Sequence, residues 1–98
     1  MKFKWKNWTG TIQASSYRHD NSEAWIFQTE DGEPIATLTV MLEDAGPPPP
    51  GCLYVKDWSE NEGVLQALVE HGYVYDTGQR IPTGYVEAAL VVKLAEIE

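Results

Sequence analysis

Between Lys2 and Lys6 every second residue is a lysine, and the residues between them are Phe3 and Trp5. Successive side chains of a strand point to opposite faces, so the alternation predicts a strand with its rings inward and its lysines in water. Lysines on the water side of an edge strand also discourage edge-to-edge aggregation. Trp8-Thr-Gly-Thr-Ile-Gln-Ala continues this strand or forms a second one, with Gly10 marking a bend or bulge. A polar turn follows at Arg18–Ser22, and Ala24 to Thr29 is rich in strand formers. Asp31-Gly32 is a hairpin signal. Pro34 to Leu42 answers it as the returning strand, with Ile35, Thr37, Thr39 and Met41 opposite Ala36, Leu38, Val40 and Leu42.

Glu43 to Gly51 reads as a loop whose Pro47–Pro50 run forms a short stiff spacer. Cys52 to Lys56 is a short strand. The period then changes. Ser59-Glu-Asn-Glu fits a capping box, with Ser59 as N-cap and Glu62 reaching back, and Val64, Leu65, Leu68 and Val69 form an apolar stripe. Gly72 is the expected stop and His71 lies in the last turn, so the pattern predicts a helix over about 60–71. Gly63 costs about 1 kcal/mol of helix propensity, which makes the helix dependent on packing. Tyr73-Val-Tyr opens another strand, Asp76–Gly84 reads as a turn-rich connection, and Tyr85 to about Leu94 is the last strand. Val86, Ala88, Leu90, Val92 and Leu94 are placed on its core face. The expected fold is a single α+β domain over residues 1–98, of order β-β-β-β-α-β-β. The helix packs on a mostly antiparallel twisted sheet of about five to six strands.

Charge narrows the choice of function. The formal net charge is −8 and it is uneven: residues 1–19 hold Lys2, Lys4, Lys6 and Arg18 without an acid (+4), and the remainder holds three basic against fifteen acidic residues (−12). An anionic surface repels phosphate backbones and anionic lipid heads, which disfavours nucleic-acid and membrane binding and favours a basic protein partner. Cys52 is the single cysteine, so no disulfide forms within these residues. No apolar run approaches the roughly 18–20 residues of a membrane helix, and no signal-like stretch opens the chain. The cytoplasm is the expected compartment.

No residue pattern here points to catalysis, a metal or a cofactor. Cys52 with His71 could form a nucleophile pair, but a zinc site wants about four tightly spaced ligands, and a buried cysteine and a capping histidine account for both. Gly78-Gln-Arg-Ile-Pro-Thr-Gly84 has the glycines of a phosphate loop without its lysine or the helix that follows. Turn carboxylates such as Glu30, Asp31 and Glu33 stay ionised in water and lack the shelter that acid–base work needs. Pro47–Pro50 lacks a flanking basic residue to orient it in an aromatic groove. Trp8 and Trp25 are expected on the sheet face and Trp58 at the start of the helix. Four Trp nevertheless exceed what a small core covers, and exposed Trp is enriched at binding hot spots. The candidate partner-binding residues are therefore Trp8, Trp58, Glu60, Glu62 and Arg80.

Three segments taken together resemble a family of short bacterial proteins of unknown function found in phages and conjugative elements. They are Asp31-Gly-Glu-Pro-Ile-Ala-Thr-Leu-Thr-Val-Met-Leu, Tyr54-Val-Lys-Asp-Trp-Ser-Glu-Asn-Glu-Gly-Val-Leu, and the Thr77-Gly…Gly84-Tyr-Val-Glu ending, within residues 30–94. The resemblance implies a mobile-element accessory context and carries no activity. The expected function is stoichiometric, non-enzymatic binding to a basic cytoplasmic protein, accessory or inhibitor-like. One alternative is a small-ligand or hydrolytic enzyme using the loop 78–84 with Arg80 and His71. Another is a nucleic-acid binder using Lys2, Lys4 and Lys6 with Trp5 or Trp8.

Overall fold

The computed structural model describes residues 2–18 and 21–97. The predicted polar turn at Arg18–Ser22 includes His19 and Asp20, which lie outside the described residues. The fold is α+β, as expected, and the described residues form seven strands divided between two antiparallel sheets rather than gathered in one. The first sheet is a meander of β1 (Lys2–Trp5), β2 (Trp8–Ser16), β3 (Glu23–Gln28) and β4 (Pro34–Thr37) in that spatial order. The second contains β5 (Cys52–Val55), β6 (Val74–Thr83) and β7 (Val86–Lys93), with β7 in the middle. Between β5 and β6 lie a 3-10 turn (Ser59–Asn61) and α1 (Val64–Glu70).

The N-terminal alternation is realised as read: Phe3 and Trp5 are buried, Lys2 and Lys4 exposed. A two-residue turn then reverses the chain, with Trp5 opposite Trp8 and Lys6 at φ 57. Gly10 sits inside β2 for want of space. A Cβ there would lie 2.0 Å from the Gln28 carbonyl oxygen and 3.1 Å from the Phe27 ring, so only hydrogen fits between the strands.

The predicted strand over Pro34–Leu42 ends at Thr37, where the chain crosses to the second sheet. The Leu38 N–H donates to the Trp25 carbonyl at 2.9 Å, while the Leu38 carbonyl accepts from Lys56 N–H at 2.8 Å. Thr39 bridges Val55, and its buried hydroxyl accepts from Trp25 N–H and is hydrogen-bonded to the Tyr17 hydroxyl. Residues 38–40 thus splice one sheet to the other. The Lys93 ammonium adds a second tie, pairing at 2.8 Å with Glu23, whose carboxylate also accepts from the Trp25 indole.

A main core lies between the sheets and α1. It contains Phe3, Trp25 and Phe27 from the first sheet, Leu53, Val55 and Val91 from the second, and Val64 and Leu68 from the helix. Leu42, Tyr54, Ala88 and Leu90 form a smaller core on the far side of the second sheet, with Trp58 packed against it. This arrangement corrects the expected core face of β7. Ala88 and Leu90 are buried as read, but in the smaller core; Ala89 and Val91 face the main one, and Leu94 is exposed. A central strand covered on both faces gives no polar row to tell them apart.

Two further expectations give way. Ser59 does not cap α1: at φ 58 it opens the 3-10 turn, and α1 begins only at Val64. One carboxylate oxygen of Asp57 accepts from the Gly63 and Leu65 N–H groups, each at 3.0 Å, and supplies the cap instead. Asp76–Gly84, read as turn-rich, is strand through Thr83, interrupted by a bulge between Asp76 and Arg80. Pro82 is tolerated because β6 is an edge strand.

Candidate interaction surface

The five candidate residues divide into those committed to the fold and those left outside it. Arg80 is committed. Its guanidinium makes two parallel 2.9 Å bonds to the Asp76 carboxylate across the bulge, and Asp76 also accepts from Gly78 N–H. Gly78 turns at φ 84, and the Thr77 hydroxyl donates to the Leu90 carbonyl at 2.6 Å. The bidentate pair holds the Asp76 carboxyl below and Arg80 above their ordinary values. The glycine-containing stretch is therefore a folded bulge on an edge strand rather than an open loop.

Trp58 is half-buried against the smaller core. Glu60 is exposed and accepts from the Lys56 ammonium at 2.6 Å, with the Lys6 ammonium on its backbone carbonyl. The Lys56 hydrogen bond is the largest cause of a Glu60 carboxyl pulled down to about 2. Glu62 is exposed without an ion pair among the described residues. Trp8 is the outlier. On β2 it belongs to the row of Gly10, Ile12 and Ala14 that faces the main core, yet the residue is 49% exposed at the outer end of that row. It lines an open groove of about 390 Å³ with Thr29, Glu33, Pro34 and Ile35.

His71 and Arg80 occupy separate places. The His71 ring packs on Phe3 and Tyr73, its Nε2 accepts from Lys4 N–H, and its Nδ1 donates to the Ala67 carbonyl. With the Tyr73 hydroxyl donating to the Lys2 carbonyl, these side chains cover the outer backbone edge of β1. Cys52 lines a groove beside the polyproline run that neither His71 nor Arg80 lines. Among the described residues no three His, Cys, Asp or Glu side chains are grouped to hold a metal ion. Trp5 is buried, which leaves Trp8 as the exposed ring beside the N-terminal lysines. Lys6 lies 4.6 Å from the Trp5 ring centre and Lys2 pairs with Glu30.

Charge is therefore spent unevenly. Four cations, Lys2, Lys56, Arg80 and Lys93, are paired with acids of the same chain. Asp31, Glu33, Glu43, Asp44, Glu62, Glu70, Glu87 and Glu96 are exposed and make no ion pair among the described residues. Two exposed rings were not singled out from sequence: Tyr85 at the tip of the β6–β7 hairpin, and Tyr75 on the outer side of the second sheet. A Gly84-Tyr85 pair between two strands is itself a turn signal that would have placed Tyr85 in water. Tyr75 gave no such signal, since alternation does not say how far a second core extends. No helix is long and apolar enough to cross a membrane among the described residues. Comparison with protein-family models, with curated proteins and with solved structures returns no match.

Proposed function

We propose that this chain is a non-enzymatic binding module, accessory or inhibitor-like, that associates stoichiometrically with a basic cytoplasmic protein. The observation that carries the reading is the distribution of ion pairs. Most of the few cations are neutralised within the fold, so the field presented to a partner comes from unpaired carboxylates. Such a surface steers a cationic partner and repels phosphate backbones. Arg80 and His71, on which an enzymatic reading would rest, are both engaged in holding backbone and strand edges. Affinity capture on the immobilised chain, at low and at high salt, tests the reading. A basic protein retained one-to-one at low salt and released at high salt is the expected result. Retention of nucleic acid alone, or of nothing specific, would count against it.

A further inference from the structure

We propose that the groove beside Trp8 seats an arginine side chain of the basic partner, with the guanidinium lying on the indole and bonded to the Glu33 carboxylate. The inference rests on the binding reading above and names its contact. Trp8 supplies an exposed aromatic face, and Glu33, exposed and without an ion pair among the described residues, lines the same groove. Pro34 and Ile35 add apolar lining for the aliphatic stem of an incoming side chain.

The groove is also fixed in shape. Thr29 N–H donates to the Glu33 carbonyl at 2.8 Å, Glu33 N–H to the Thr29 hydroxyl at 3.0 Å, and Gly32 N–H to the Thr29 carbonyl at 2.9 Å. The turn that carries Glu33 is thus pinned from both ends, and Pro34 stiffens the next residue. A preformed site loses less ordering entropy on binding than a mobile one. Asp31 on the same turn adds negative potential, while Glu30 is partly offset by Lys2 at 3.4 Å.

Each class of side chain meets these walls differently. An apolar group would use the indole and leave the carboxylate unengaged, and an anion would be repelled. A guanidinium stacks flat on the ring and forks onto the carboxylate, which a compact ammonium does less well.

The test is an NMR titration of the full-length, isotope-labelled chain at low salt with the blocked peptide Ala-Ala-Arg-Ala-Ala, and with versions carrying Ala or Glu at the centre. The arginine peptide is expected to shift the Trp8 indole N–H and the Glu33 amide saturably, and the other two to leave them in place. Trp8→Ala and Glu33→Gln should each weaken binding by about 3- to 30-fold. Glu70→Gln, which removes the same charge elsewhere, should not. If Trp8→Ala fails to fold, Glu33→Gln on its exposed turn decides. Shifts confined to other acidic positions would overturn the groove and leave the basic-partner reading standing. No shift anywhere with the arginine peptide would overturn both, and equal shifts with the alanine peptide would remove the cation from the account.

Discussion

Gly10 shows how one atom fixes the spacing of two strands. The Gln28 carbonyl occupies the place a methyl group would need, and that carbonyl belongs to backbone, which cannot swing aside like a long side chain. Gly10→Ala should therefore cost at least the roughly 1–3 kcal/mol typical of overpacking, read by urea denaturation. Glu60 makes a complementary case at the surface. Its folded carboxyl lies at about 2, below the usual 4.5, chiefly because Lys56 donates to the ionised form. The sign follows from linkage: the contribution is present above about 4.5 and is lost as pH falls through about 2. A carbon-detected titration of Glu60 should show that low midpoint, and Lys56→Met should return it toward the ordinary carboxylate range. An unchanged midpoint in the variant would mean that Lys56 is not the cause.

At the scale of elements, legibility followed the kind of signal each segment carried. β1 and the β3–β4 hairpin were readable because alternation and an Asp-Gly turn are local. The crossing at residues 38–40 was not, since Leu38 and Leu42 keep the strand period while entering different cores. The bulge in β6 was hidden for a related reason. Thr77, Gly78 and Pro82 look like loop residues until Asp76 and Arg80 clamp the chain and β7 supplies the pairing. Trp8, expected on the sheet face, is core-facing by register and half in water by position. The helix cap was misassigned because Ser59-x-x-Glu62 fits a capping box, whereas the acceptor that reaches the first N–H groups of α1 comes from Asp57. Asp57→Ala should consequently lower stability by about 1 kcal/mol, and Ser59→Ala should stay within about 0.5 kcal/mol, measured by thermal or urea unfolding. The reverse order would restore Ser59 as the cap.

For the whole molecule, the consequence of the fold is electrostatic. Two sheets and a short helix enclose a large share of the aromatic and aliphatic side chains, ion pairs among the described residues absorb Lys2, Lys56, Arg80 and Lys93, and the exterior retains an excess of carboxylates. Attraction across such a surface is screened over about 8–10 Å at ordinary ionic strength, so affinity should depend strongly on salt. Calorimetric titration of the intact chain with an arginine-rich peptide over a series of salt concentrations addresses this most directly. One-to-one binding that weakens steadily as salt rises is the expected result. Binding that ignores salt, or none at the lowest salt, would contradict the account.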